Sequence, residues 1–149
     1  MNSQQLAFVG GTAITPFEEI PDSAVVLEGN RIVFVGFRRS LPTNPTTQTI
    51  DISGKFIAPG FIDIHIHGGA GSDFMDATRA DFETVCRYHA SGGTTSLLAT
   101  TATACLPEIL AALRTVREVQ QNPVSGAQVL GAHIEGPYLS MAKRGCHLQ

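Results

Sequence analysis

The sequence predicts an α/β protein in which a small all-β module precedes parallel strands alternating with helices. Three observations carry this. Short β-branched runs broken by turn residues fill positions 1 to 57. From 58 to 149 the pattern becomes strand, helix, strand, helix, strand. Apolar residues make up 43% of the 149 residues and charged residues 15%, a balance that supports a packed core and excludes disorder.

Leu6 to Val9 is the first run, stopped by Gly10-Gly11. Ala24 to Leu27 and Arg31 to Val35 flank Glu28-Gly29-Asn30, a hairpin signal because glycine supplies positive φ at little steric cost. Leu41 to Thr49, with two prolines, reads as a loop. Thr49 to Ile52 and Lys55 to Ile57 flank Ser53-Gly54, a second tight turn. One sheet or two are both compatible with this pattern.

Phe61 to His67 reads as a strand. Thr78 to Ala90 follows as a helix, with Phe82, Val85, Cys86 and Ala90 near the helical period, Thr78 as cap and Gly92-Gly93 as stop. Thr94 to Thr101 is β-rich. Pro107 suits the first turn of a second helix whose apolar stripe is Ile109, Leu110, Leu113 and Val116. Gln128 to Glu135 is the third strand. Such alternation implies parallel strands with right-handed crossovers. A (β/α)8 barrel needs about 250 residues, so a barrel here is an incomplete one holding three strands.

Composition excludes several functions. Net charge is −3 with no basic cluster, so nucleic acid has no electrostatic footprint. No apolar run reaches the ~20 residues of a membrane span, and Met1 to Gln5 lacks the marks of a signal peptide. Cys86, Cys105 and Cys146 are odd in number and form no CxxC pair. That argues for a reducing, cytoplasmic setting, with Cys86 and Cys105 as small packing residues.

Chemistry concentrates in three places. In Asp63-Ile64-His65-Ile66-His67 the polar residues share one strand face and Ile62, Ile64 and Ile66 the other. The isoleucines are expected under covering helices. Two imidazoles at i and i+2 can converge on a divalent cation. A hydrogen-bonded pair near a loop is the competing reading of a bare HxH, and Gly68-Gly69 favours the metal by leaving the site open. In Gly131-Ala132-His133-Ile134-Glu135-Gly136-Pro137-Tyr138, Glu135 lies at the strand's carboxyl end, where catalytic groups gather in this architecture. A solvated or salt-bridged residue is the alternative for Glu135; His133 fits a ligand, a partner to a ligand or a satisfied core histidine, the last two being favoured. In Lys143-Arg144-Gly145-Cys146-His147 the cations fit a phosphate or a solvated loop, and His147 can reach the cavity of Glu135. His89 reads as a boundary histidine, and Thr94-Thr95 and Thr100-Thr101 as β-formers.

Together these segments resemble the amidohydrolase superfamily. Pro59-Gly60-Phe61-Ile62-Asp63-Ile64-His65-Ile66-His67 carries the general likeness. The run from Gly131 to Ser140, Lys143-Arg144-Gly145-Cys146-His147, Gly71 to Asp76 and Gly92 to Thr101 resemble the N-acetylglucosamine-6-phosphate deacetylases within it. The resemblance implies a metal-bearing (β/α)8 barrel beside a β-sandwich built from both chain ends. It implies Glu135 as principal metal ligand, His65 and His67 as holders of a second ion, and Cys146 and His147 as contacts to a sugar phosphate substrate. The cofactor would be zinc or iron, one or two ions, and the full-length form a homodimer. It also implies a general-base aspartate and two more histidine ligands from later strands. None of those three lies in these 149 residues, so the chain alone is expected to be inactive. An amidohydrolase acting on a cyclic amide, or a non-enzymatic fragment, are the other readings.

Overall fold

The computed structural model describes residues 5–42, 46–145 and 147. Among them the chain forms two compact units, 1–59 and 60–149.

In the first unit the strands are β1 (Gln5–Val9), β2 (Thr12–Ile14), β3 (Glu19–Ile20), β4 (Ser23–Glu28), β5 (Arg31–Phe37), β6 (Gln48–Asp51) and β7 (Phe56–Ile57). They form two sheets, ordered β5-β4-β1-β6 and β3-β2-β7. The Gly29-Asn30 turn joins β4 to β5 as an antiparallel hairpin, with Gly29 at φ +60°. The Ser53-Gly54 turn is also present, closed by the Lys55 amide on the Ile52 carbonyl at 3.0 Å. Its flanking strands do not pair with each other. β6 runs parallel to β1 in one sheet and β7 parallel to β2 in the other. Ala7, Val9, Ala24 and Val26 form the core of the larger sheet.

The second unit is α/β. Its strand β8 (Phe61–Ile66) leads into a two-residue hairpin, β9 (Gly68–Gly69) and β10 (Ser72–Asp73), then a 3-10 turn at Phe74–Asp76. Helix α1 (Arg79–Ser91), strand β11 (Thr94–Thr100), helix α2 (Leu106–Gln121) and strand β12 (Gln128–His133) follow. The sheet order is β12-β11-β8 and both pairings are parallel. No helix among the described residues is long and apolar enough to cross a membrane.

Local chemistry sets these elements. Thr78 caps α1 by accepting the Asp81 amide through its hydroxyl at 3.2 Å. Asp81 in turn accepts the Ser72 hydroxyl at 2.9 Å and the Thr78 hydroxyl, which hold its carboxyl below the usual carboxylate range. Gly93, at φ +95°, turns the chain from α1 into β11. Phe74, Phe82, Val85, Cys86 and Leu97 are buried where α1 and α2 cover β11. Phe74 and Phe82 meet edge to face at 4.7 Å. Burying each such side chain stabilises by ~1.5–3 kcal/mol.

Three expectations are corrected. Ile62 and Ile64 are 63% and 67% exposed, and only Ile66 packs on the core. β8 is an edge strand, while α1 packs on its neighbour β11 and α2 on β12. The buried stripe of α2 is Ile109, Ala112, Thr115, Val116 and Val119, with Leu110 turned outward. The helix therefore faces the sheet a fraction of a turn away from the stripe that side-chain size alone suggested. Cys105 is exposed at the N-cap of α2 rather than packed in a core, and its amide donates to Glu108 Oε2 at 3.3 Å.

Candidate metal centre

The carboxyl ends of the three parallel strands bring four side chains together. His65 is in β8 and His67 directly follows it. Glu135 lies two residues past the end of β12, on the loop opened by the strand. His147 comes from the segment beyond and reaches back to the same point.

One carboxylate organises the cluster. Glu135 Oε2 is 3.0 Å from His65 Nε2 and 3.1 Å from His67 Nε2. The two Nε2 atoms are 3.3 Å apart. Glu135 Oε1 is 2.8 Å from His147 Nε2. The distances to Oε2 alone describe ion pairs, but the directions do not: Oε2 is buried and has no hydrogen-bond partner. Two ring nitrogens thus crowd around a buried oxygen that has no hydrogen bond. Three ligands held ~2.0–2.1 Å from a common zinc at angles between 90° and tetrahedral sit ~2.8–3.4 Å apart. The observed spacings fall in that interval. Among the described residues, His65, His67 and Glu135 form the group whose ligand atoms are close enough to share an ion. Two imidazoles and a carboxylate suit zinc or iron(II).

The neighbours of Glu135 set its electrostatics. Desolvation pushes the Glu135 carboxyl up. The hydrogen bond from His147 and the charges of His147, His67 and His65 outweigh it and hold the group below the usual carboxylate range. Metal binding would require the carboxylate form of Glu135 and neutral imidazoles.

Several neighbours brace these side chains. The His65 amide donates to Asp63 Oδ1 at 3.1 Å, so Asp63 folds onto its own backbone and does not join the cluster. His133 stacks edge to face on His65, centroids 4.6 Å apart, and its buried Nδ1 has no partner. His147 Nδ1 and Thr103 Oγ1 are 2.9 Å apart, and Arg144 donates to the His147 carbonyl at 3.1 Å. His89 on α1 donates through Nε2 to the Gly68 carbonyl at 3.1 Å, tying down the turn after the HxH. Cys146 lies outside the described residues. The threonines were missed as site residues. Thr100 Oγ1 accepts the Ile66 amide at 2.8 Å and Thr101 Oγ1 accepts the Glu135 amide at 3.1 Å. Threonine is so ordinary in a strand that its type carries no signal; the cue was position, at the carboxyl end of the central strand.

Comparison with known proteins bears on this geometry. The amidohydrolase family profile matches residues 56–147, more than half of the chain, and its span includes both histidines and the glutamate. The chain belongs to the amidohydrolase family. It is 45% identical over 91 residues to the N-acetylglucosamine-6-phosphate deacetylase of Vibrio furnissii, covering 61% of this chain and 23% of that one. Against the Haemophilus influenzae enzyme of the same name it is 34% identical over 142 residues, 95% of this chain and 36% of that one. The crystal structure of the Pasteurella multocida N-acetylglucosamine-6-phosphate deacetylase superposes with a TM-score of 0.86 at 32% identity, covering 97% of this chain and 38% of the other. This amidohydrolase chain therefore spans about a quarter to a third of the length of such curated relatives.

Proposed function

We propose that this chain is the N-terminal part of a metal-dependent deacetylase that hydrolyses N-acetylglucosamine 6-phosphate to glucosamine 6-phosphate and acetate. The observation that carries the reading is the convergence of His65, His67 and Glu135 within 3.0–3.3 Å at the strand ends. Likeness to deacetylases over nearly the whole chain supports the substrate. In this reading β8, β11 and β12 are the first three strands of a (β/α)8 barrel spanning 58–149 and onward. Residues 1–57 are a sandwich-like module.

Glu135, His65 and His67 would hold the metal, zinc or iron, as one ion or two. A divalent ion there supplies Lewis acidity to the acetamide carbonyl and to water. The remaining work falls to side chains. Glu135, within 3.1 Å of both imidazoles, would fix where that acidity is delivered. His147, braced by Thr103 and Arg144, stands 2.8 Å from Glu135 and is suited to meet the sugar phosphate beside the reacting amide. Cys146 is proposed as a second substrate contact. The proton-transferring aspartate implied by the resemblance would come from a later strand, so the 149 residues by themselves are proposed to be inactive. We assign the enzyme to the cytoplasm, as a homodimer in its full-length form.

The test is acetate release from N-acetylglucosamine 6-phosphate by the gene product that carries this sequence, with zinc added. Turnover that disappears in Glu135→Gln supports the reading. Hydrolysis of a cyclic amide such as a hydantoin, with none of the sugar phosphate, would overturn it.

A further inference from the structure

We propose that Thr100 and Thr101 are positioning residues that set the geometry of the metal centre from the strand between its two halves. The inference rests on the metal reading of His65, His67 and Glu135.

The two threonines are consecutive, at the end of β11 and just past it, and they reach opposite neighbours. Thr100 Oγ1 accepts the amide of Ile66, the peptide between His65 and His67, at 2.8 Å. Thr101 Oγ1 accepts the amide of Glu135 at 3.1 Å, and the Thr101 amide donates to the His133 carbonyl at 2.9 Å. Both residues are buried, at 0% and 2% exposure.

These bonds stand where the regular ladder runs out. The pairing of β11 with β8 ends at Ala99 opposite Ile66, and that with β12 ends at Thr100 opposite His133. Beyond those points a buried amide needs another acceptor or costs on the order of 1–3 kcal/mol. The hydroxyls provide it, and so tie the ligand-bearing backbone on either side to one rigid dipeptide. A shift of the Ile66 peptide would swing both imidazoles; a shift of the Glu135 peptide would swing the carboxylate. Groups of this kind around a metal typically change its affinity 10–100-fold when removed.

The experiment is cobalt(II) affinity of the 149-residue chain, by competition with a chromophoric chelator, beside its melting temperature. Thr100→Val and Thr101→Val, which keep shape and lose the hydroxyl, are expected to weaken binding by about 10–100-fold. Thr100→Ser and Thr101→Ser keep the acceptor and are expected to bind as wild type does, and Thr100→Ala and Thr101→Ala, which lose it, take the place of the valine variants if those do not fold. Val85→Ala, in the core away from the centre, is expected to lower the melting temperature and leave affinity unchanged. Valine variants that bind like wild type, serine variants as weak as the valine ones, or a Val85→Ala loss equal to theirs would overturn the proposal. Wild type and Glu135→Gln that bind cobalt equally, or a wild type that binds none, would instead remove the metal reading, and this inference with it.

Discussion

His147 places its Nε2 2.8 Å from Oε1 of Glu135, leaving Oε2 to His65 and His67. The two oxygens thus have divided duties: one is steadied by a hydrogen bond, the other faces the paired imidazoles. Breaking that division is expected to loosen the centre without abolishing it. His147→Ala should weaken zinc affinity by about tenfold, as loss of a partner that orients a ligand does. Zinc titration against a competing chelator measures it. Thr84→Ala, on the exposed face of α1 where its hydroxyl donates to the Ala80 carbonyl, should leave the affinity near that of wild type.

Gly126 holds a close approach in the second unit. Its φ is +108°, and a Cβ there would lie 2.4 Å from the Cys86 carbonyl carbon and 2.5 Å from the Arg87 amide nitrogen. These are backbone atoms of α1 and cannot rotate aside. The neighbouring Ala127 amide donates to the Cys86 carbonyl at 3.0 Å, so the contact is part of the packing of helix against loop. Gly126→Ala should cost about 2–3 kcal/mol in urea unfolding, through backbone strain and lost packing. Gly54→Ala is the comparison: φ is +75° but nothing lies within 4 Å of the added carbon, so only the conformational cost remains.

Cys86 and Cys105 should differ sharply toward thiol reagents. Burial raises the Cys86 thiol from 9.0 to about 11, with the charge of Glu83 adding to it. Iodoacetamide at pH 8 should modify exposed Cys105 and spare Cys86 until the chain unfolds, as peptide mapping would show. The same shift has a sign for stability. The folded state holds the Cys86 proton more tightly than the unfolded state does. Its contribution is full below about pH 9 and is lost as pH rises toward about 11. Urea midpoints across that window should fall, and fall less in Cys86→Ala.

Much of the second unit is legible from periodicity, because its elements are long enough to repeat a pattern. Phe82, Val85 and Cys86 on α1 recur at the helical spacing, and Thr78 and Gly93 mark its ends through side-chain capping and positive φ. His65, His67 and Glu135 are legible as polar residues at strand ends, where a hydrogen-bonded HxH and a salt-bridged glutamate fit equally; their convergence depends on the sheet order. The rest is hidden for physical reasons. β3 and β7 are two residues long, too short to show alternation, so the split into two sheets cannot be read from them. Ile62 and Ile64 look like core, but edge position is a property of the sheet and not of the strand. The roles of Thr100 and Thr101 depend on which amides the ladder leaves over, which only the register reveals.

The most direct test of the central claim is X-ray absorption at the zinc edge on the metal-loaded chain. Shared ligation by His65, His67 and Glu135 predicts imidazole scattering from nitrogens at about 2.0–2.1 Å together with oxygen at about 2.0–2.2 Å. The imidazole signature should vanish in the His65→Ala, His67→Ala double variant. A spectrum of oxygen ligands alone, or one that the double variant leaves unaltered, would contradict the account.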